Sequence, residues 1–224
     1  MTAQAQSNDV TVWIQRGLLI LIGLMPFHAF FSIWLGHLFG SQVLWQSWKE
    51  ILLLCLASAA ALMLYRQPSR IKRLRTSFNY IFVAFIAVAL AITVLHGPSP
   101  TVALFGIKTD IEFLLAFLLA QLVADTRFLG QAAKTLIISS GAVIGFGLLQ
   151  IFLLPKDWLA QFGYNAGTIQ PYLPLDPAID AVRIVATLGG PNQLGSFLIL
   201  PHCLVVWRLL QNPRWWHALY IIVG

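Results

Sequence analysis

Long stretches without charge constrain this chain more than any other feature of its sequence. Residues 17–39 contain no Asp, Glu, Lys or Arg over 23 positions, and a helix needs roughly 20 mostly apolar residues to cross a bilayer. Charged residues make up 10% of the 224 residues, against about 25% in a soluble domain. So few charges cannot cover a soluble globule of this size. The sequence therefore excludes a soluble enzyme, a disulfide-rich secreted domain and a disordered tail.

The apolar stretches predict an all-α fold, a polytopic bundle of transmembrane helices. We expect residues 1–224 to form a single transmembrane domain with six full spans and the start of a seventh: 17–39, 49–65, 78–96, 107–124, 135–154, 184–207 and 217–224. The fourth span is the weakest, because Lys108, Asp110 and Glu112 occupy its first turns. Eight residues cannot cross a membrane, so we expect the chain to be the N-terminal portion of a longer bundle.

The basic residues predict the orientation of the spans. Five of them crowd the link between the second and third spans: Arg66, Arg70, Lys72, Arg73 and Arg75. Cytoplasmic loops are enriched in Lys and Arg, so this link and the N-terminus are expected on the cytoplasmic side of the membrane. The same alternation leaves four basic residues outside: Lys49, Lys108, Lys156 and Arg183. The membrane topology thus explains the excess of basic residues. We expect the lipid bilayer to be a partner of the chain, and no nucleic-acid partner is expected.

The connection between the fifth and sixth spans is unusually long. Residues 155–182 form a 28-residue extracytoplasmic loop that contains four prolines and several aromatic residues. Connections of this length are uncommon and often functional. The aromatic rings of Trp158, Phe162, Tyr164 and Tyr172 are of a kind that stacks on sugars, although anchoring at the membrane interface also explains Trp158.

Residues 176–195 read DPAIDAVRIVATLGGPNQLG and contain the most informative pattern in the chain. Asp176 and Pro177 fit the N-cap and first position of a helix, which predicts a short interfacial helix that carries Arg183. Two glycines at 189–190 should end that helix. Pro191 can then begin a new one, so that the sixth span runs from about 191 to 210.

A helix that begins after glycines predicts an anion-binding site. Its first N–H groups are unpaired and its N-terminus carries a partial positive charge. Arg183 can add a bidentate phosphate contact, and Asn192 offers an amide. The alternative is that residues 189–191 only kink a helix while Arg183 extends to the lipid headgroups. These residues alone favour neither interpretation.

Two further outward lysines are candidates for function. Lys108 and Glu112 lie one helical turn apart, so a local ion pair between them is plausible. Three charges in the opening turns of a span are costly unless they face protein or a wet cavity. Anchoring at the interface is the favoured explanation for Lys49. No histidine has ligand spacing with a Cys, Asp or Glu, so no metal site is expected.

The segment around Arg183 resembles the signature of the O-antigen ligase and O-antigen polymerase family. That signature is an Arg, a few residues, Gly-Thr-aromatic, and then Gly/Asn-Pro-Asn-x-x-Gly; here Arg183 is followed by Thr-Leu-Gly-Gly-Pro-Asn-Gln-Leu-Gly at 187–195. Phe-Gly-Ile-Lys at 105–108 also looks like the family's basic residue at a helix start. The chain departs from the pattern at Ala186, where glycine is usual, and at Gly190, where asparagine is frequent.

The resemblance implies a membrane glycosyltransferase of cell-surface polysaccharide assembly, of the kind that builds lipopolysaccharide. Such enzymes transfer or polymerise glycan from undecaprenyl diphosphate onto a glycan, lipid or protein acceptor on the extracytoplasmic face. By position, Arg183 would contact the diphosphate, with Lys108, Gly190 and Asn192 as further binding candidates. No cofactor is expected. The family's acceptor-activating Arg and His would lie beyond Gly224, so a chain that ended here is expected to be inactive.

Two other classes of function stay open. One is a secondary transporter with a broken sixth helix, because half-helix N-termini face anionic groups in such carriers. Against it, the break at 189–191 lies at the outer rim and not at the midplane, and no internal repeat is visible. The other is a non-catalytic membrane subunit.

Overall fold

A computed structural model describes the backbone of residues 3–176 and 179–224, and the side chains of 9–109, 111–174 and 183–224. Within those residues the fold is all-α with one added β-hairpin. The helices are α1 (Ala3–Leu24), α2 (His28–Phe39), α3 (Gln42–Gln46), α4 (Trp48–Arg66), α5 (Ser77–His96), α6 (Pro100–Val123), α7 (Thr126–Phe152), α8 (Pro191–Gln211) and α9 (Trp215–Val223). The strands are β1 (Leu173–Asp176) and β2 (Ile179–Arg183), and short 3-10 turns cover Met25–Phe27, Pro68–Leu74 and Trp158–Phe162.

Five helical segments in the described part of the chain are long and apolar enough to cross a membrane. They are Asp9–Phe39, Trp48–Arg66, Ser77–His96, Thr126–Phe152 and Pro191–Gln211. This confirms the apolar, multi-pass character expected from the scarcity of charge. The segment Asp9–Phe39 starts earlier than the predicted first span at 17–39. The segment Thr126–Phe152 starts nine residues before the predicted fifth span at 135–154. The full count of six spans and the cytoplasmic N-terminus stay predictions.

Helix α6 differs from the predicted fourth span in where it begins. It starts at Pro100, a residue suited to the first helical position because its missing N–H would be unpaired there anyway. Lys108 and Glu112 consequently lie near the middle of the 24-residue helix. The prediction that these charges open a span was therefore wrong, and the segment 105–108 is helix interior and not a helix start.

Helix α8 begins at Pro191, as predicted, and continues to Gln211. Gly190 is its N-cap, with an extended backbone (φ 176°, ψ 163°), and Gly189 precedes it. The two glycines therefore lie ahead of the helix and do not interrupt it. The transporter hypothesis depends on a break within the sixth predicted span. The two glycines do not break that span, because they precede α8.

The short helix predicted after Asp176 is wrong, because β1 and β2 pair as an antiparallel hairpin. Leu173 lies opposite Arg183, with an irregularity in the register between Pro174 and Asp176. The β-branched residues of β2 favour extended backbone. In addition, the segment between Pro177 and the glycines at 189–190 is too short to offset the cost of helix nucleation by itself. The predicted role of Pro177 at the first helical position lies outside the described residues.

Two compact units divide the chain. The first unit contains residues 1–18 and 49–128, and the second contains residues 19–48 and 129–224. In the first unit the basic link after α4 folds onto helix ends. Arg70 donates through Nη1 to Thr11 Oγ1 at 3.1 Å, and Arg73 donates through Nη1 to the Leu122 carbonyl at 3.0 Å. The start of α1 and the ends of α4 and α6 thus meet at one end of this unit, as antiparallel succession of helices requires.

Asp125 caps the start of α7. Its Oδ1 accepts the backbone N–H of Phe128 at 2.7 Å, which is the geometry of an N-cap side chain bonded to the third helical residue. Its Oδ2 accepts the amide N–H of Gln15 at 3.1 Å. The Phe128 N–H, followed by the Gln15 amide, holds the pKa of Asp125 below its ordinary value of 3.8, because both bonds favour the ionised carboxylate.

We expect Asp125→Ala to lower the melting temperature of the detergent-solubilised protein by a few degrees at pH 7, and Asp125→Asn to lower it less, because Asn also caps helices well. Folding lowers the pKa of Asp125, so its stabilisation is complete above the ordinary value and is lost as the pH falls through the folded value. Thermal scans at several pH values should show the wild-type advantage over Asp125→Ala shrinking below pH 3.8. Equal melting temperatures at pH 7 would contradict this role.

Candidate functional site

The hairpin places Arg183 at the rim of a pocket. Arg183 ends β2 opposite Leu173, which brings it to the same end of the hairpin as Tyr172. Both line a pocket that encloses about 330 Å³, part of it open to the surroundings. The Arg183 side chain is exposed, and within the described residues its guanidinium has no hydrogen-bond or ion-pair partner. The other lining residues are Gln150, Pro155, Lys156, Trp158, Leu159, Pro171, Ile184 and Val185.

The loop that carries this pocket is folded onto its own apolar core. Buried Leu159, Tyr164 and Val185 pack with Ile33 of α2. The rings of Trp158 and Phe162 lie nearby, tilted by 47° with their centroids 4.7 Å apart. Burial raises the pKa of the Tyr164 phenol well above its usual range. This buried tyrosine is part of the apolar core of the loop.

One glycine is required where the loop turns. Gly163 ends the 3-10 turn with φ +88°, in the left-handed region that strongly favours glycine. A Cβ at this position would lie 2.7 Å from the Cβ of His37. Both the backbone conformation and the close approach to α2 therefore exclude a side chain here.

Two hydrogen bonds anchor the segment between the pocket and α8. The Ala186 N–H donates to Oε1 of Gln150 on α7 at 2.8 Å. The Thr187 hydroxyl donates to the Pro26 carbonyl at 2.9 Å, at the 3-10 turn that separates α1 from α2. Gly147 of α7 lies beside this segment, since a Cβ there would make an ordinary contact with the Ile184 side chain at 3.4 Å.

Ala186 has a backbone conformation that is unusual for alanine. Its φ is +49°, which costs an ordinary residue about 1–2 kcal/mol relative to glycine. It is fully buried, and it packs in a cluster with Val143 and Leu194. This is the position at which the O-antigen ligase signature usually has glycine, and the backbone requirement gives a physical reason for glycine there.

The N-terminus of α8 has unpaired backbone donors. Leu194 donates its N–H to the Gly190 carbonyl at 3.0 Å, and no side chain caps the helix. The N–H groups of Asn192 and Gln193 have no partner in the described part of the chain, as expected for a first helical turn. A Cβ at Gly190 would meet no described atom within 4 Å, so the glycine leaves this helix end open.

Lys108 belongs to a network of four charges in the first unit. Its Nζ lies 2.5 Å from Oε1 of Glu50. Lys49 bonds Glu112 and lies 3.4 Å from Glu50. The side chains of Lys49, Glu50 and Glu112 are 13–19% exposed, and that of Lys108 is 49% exposed. The network connects the first turn of α4 to the middle of α6 and has no net charge.

This network corrects one interpretation of the sequence. Lys108 pairs with Glu50 on another helix and not with Glu112 on its own. Lys49 pairs with Glu112, and its anchoring at the interface stays a prediction. The sequence contained one indication of this network, namely charged residues within apolar helices. Such charges are costly unless they are paired, so they predict that partners exist but do not identify them.

The predicted diphosphate-binding residues belong to different units. Arg183, Gly190 and Asn192 are in the second unit and Lys108 is in the first. In the second unit the pocket adds Gln150, Lys156 and Tyr172 around Arg183. Sequence reasoning noted two of these separately, Lys156 as an outward cation and Tyr172 as a loop aromatic, but it missed Gln150, which is one polar residue in an apolar helix.

Comparison with known proteins identifies no relative: no family model, no curated protein and no solved structure matches this chain. The likeness to O-antigen ligases therefore rests on the short segments quoted from the sequence.

We expect Lys49→Met to lower the free energy of unfolding by roughly 2 kcal/mol, because it leaves two largely buried carboxylates with less compensation. The double variant Lys49→Met, Glu112→Leu should recover more than half of that loss, since it removes one of those carboxylates as well. Denaturant titration in detergent, analysed as a double-mutant cycle, measures both values. A double variant that is less stable than Lys49→Met would contradict the pairing.

We expect Thr187→Val to destabilise the second unit by about 1–3 kcal/mol, because it leaves the buried Pro26 carbonyl without its donor at nearly constant side-chain volume. Thr101→Val is a matched control, since Thr101 is exposed at the start of α6. The same unfolding measurement should leave this control close to wild type. If the two valine variants unfold alike, the Thr187 hydroxyl does not anchor the segment.

Proposed function

We propose that this chain is a membrane glycosyltransferase of cell-surface polysaccharide assembly. In this proposal it binds an undecaprenyl-diphosphate-linked glycan at the extracytoplasmic face of the inner membrane and transfers the glycan to a glycan, lipid or protein acceptor. The observation that carries the proposal is the pocket in which the exposed guanidinium of Arg183, which has no partner among the described residues, lies with the rings of Trp158 and Tyr172. The resemblance of residues 183–195 to O-antigen ligases supports the same function.

The chemistry of the reaction calls for a cation at this place. When the bond between the glycan and the diphosphate breaks, negative charge develops on the departing phosphate oxygen. A planar guanidinium offers paired N–H donors to such oxygens and keeps its charge at all physiological pH values. Lys156 lines the same pocket.

The position of the pocket in the chain suits a lipid-linked substrate. It lies on the connection between α7 and α8, two helices that are apolar enough to cross a membrane. A ligand with a polyprenyl tail has its diphosphate at the membrane surface, where such a connection lies, while the tail stays in the bilayer.

The start of α8 is the second anion-binding element of the proposed site. Gly190 leaves the helix end open, and the unpaired N–H of Asn192 adds to the partial positive charge there. The exposed Asn192 amide offers a further donor to a phosphate or sugar oxygen. Lys108 is a weaker candidate, because Glu50 already neutralises its ammonium group.

Binding of undecaprenyl diphosphate to the purified chain in nanodiscs tests the proposal. We expect Arg183→Ala to weaken binding about tenfold or more, because charge-assisted hydrogen bonds contribute roughly 1.5–3 kcal/mol. Arg183→Lys should fall between this variant and wild type, since it keeps the charge but loses the fork. Arg75→Ala is the matched control, because Arg75 is also exposed but lies in the basic link between α4 and α5.

A second measurement separates an enzyme from a transporter. In cells that carry the natural gene, Arg183→Ala should cause lipid-linked glycan to accumulate and surface polysaccharide to fall.

Undecaprenyl diphosphate binding that is unaffected by Arg183→Ala would contradict the proposed site. Movement of labelled lipid-linked glycan across proteoliposomes, without a new glycosidic bond, would favour the transporter.

A further inference from the structure

The pocket beside Arg183 contains more than a diphosphate requires. A phosphate group needs a cation and N–H donors, both of which Arg183 supplies. The same pocket is also lined by the rings of Trp158 and Tyr172 and by the amide of Gln150. Binding sites combine apolar or aromatic walls with a few placed polar groups when the ligand has both an apolar face and hydroxyls. A sugar ring has both.

The two rings differ in how firmly they are held. Trp158 is half-buried, and it packs at 4.7 Å from the ring of Phe162 and at 5.9 Å from that of Phe146. Its orientation is therefore set by the core of the loop. Tyr172 is 40% exposed and lies next to β1, whose first residue pairs with Arg183. The pocket thus has one preformed aromatic wall and one open aromatic edge beside the cation.

Gln150 contributes an oriented donor. Its Oε1 accepts the Ala186 N–H at 2.8 Å, which fixes the plane of the amide. The Nε2 group has no hydrogen-bond partner in the part of the chain that the structure describes, so its two N–H groups are available to a ligand in the pocket. An amide held in this way suits a hydroxyl or N-acetyl oxygen of a sugar.

The size of the pocket limits what it can hold. The volume of about 330 Å³ includes space that is open to the surroundings, so a sugar ring would lie across the mouth of the pocket and not inside a closed cavity. The rest of a longer glycan would leave through the open side.

We infer that this pocket is a subsite for the first sugar of the lipid-linked glycan, the residue attached directly to the diphosphate. Trp158 and Tyr172 contact the faces of the sugar ring, Gln150 donates to one of its oxygens, and Arg183 binds the adjoining phosphate. Tyr172 is then a specificity-determining residue. This inference rests on the proposed function, because it takes the diphosphate contact of Arg183 as given.

Two sets of ligands separate the subsite from the diphosphate contact. One is bare undecaprenyl diphosphate, and the other is a panel of undecaprenyl diphosphates that each carry a single glucose, galactose, N-acetylglucosamine or N-acetylgalactosamine. We expect at least one member of the panel to bind the wild-type chain in nanodiscs more tightly than the bare lipid. Tyr172→Ala should weaken that ligand by about fivefold to tenfold, which is typical for the loss of a ring contact, and change bare-lipid binding less than twofold.

Two further variants show whether the aromatic ring is responsible. Tyr172→Phe should keep most of the sugar-dependent affinity, because it retains the ring. Tyr65→Ala, at a tyrosine on α4 that is 85% exposed, should change neither ligand. Arg183→Ala should weaken both ligands.

The subsite is refuted if no sugar-bearing lipid binds more tightly than the bare one, or if Tyr172→Ala weakens both ligands equally. A loss with Tyr172→Phe as large as that with Tyr172→Ala would also overturn the ring contact. Each of these results leaves the diphosphate site intact as long as Arg183→Ala still weakens the bare lipid. Bare-lipid binding that is insensitive to Arg183→Ala refutes the proposed function itself.

Discussion

The pocket depends on two hydrogen bonds that hold an irregular segment against apolar helices. Ala186 and Thr187 are buried, so the polar groups of this non-helical segment need partners from the protein. Gln150 and Pro26 supply these partners to Ala186 and Thr187. Because the segment is held at these two points, the hairpin before it and the helix after it have defined starting positions. The rim on which Arg183 lies is therefore preorganised by contacts that do not touch the pocket's contents.

The first unit satisfies its charges by a different route. Lys49, Glu50, Lys108 and Glu112 compensate one another across two helices, and the network joins the helices at one level. Isolated charges in such surroundings cost several kcal/mol, whereas a compensated set costs much less. The need to compensate charges in apolar surroundings thus produces a set of ion pairs that joins α4 to α6 in the first unit. The difference between Lys108 and Arg183 matters for function, because a paired ammonium is less available to an anionic substrate than a guanidinium that has no partner among the described residues.

Most of the helices were predicted from apolar stretches and from proline or glycine at their ends. This works because a helix that spans a bilayer needs about 20 mostly apolar residues in a row, which is visible in the sequence. Pro191 marked the start of α8 correctly, because proline is suited to a first turn wherever that turn occurs. The same reasoning failed at Asp176, where pairing between β1 and β2 overrides the local cap pattern, and at Lys108, where α6 begins earlier at Pro100. The partnership of Gln150 with Ala186 was beyond sequence reasoning, because it joins residues 36 positions apart.

The placement of cations argues most directly for a ligand at Arg183. The positive-inside rule accounts for the basic link at 66–75, and Arg70 and Arg73 there also bond helix ends. Neither explanation applies to Arg183, which on the predicted topology is outside and has no partner among the described residues. The exposed guanidinium of Arg183 lies at the end of β2, beside two aromatic rings and the Gln150 amide. An anionic ligand that carries a sugar ring would supply the missing contacts of all three groups at once.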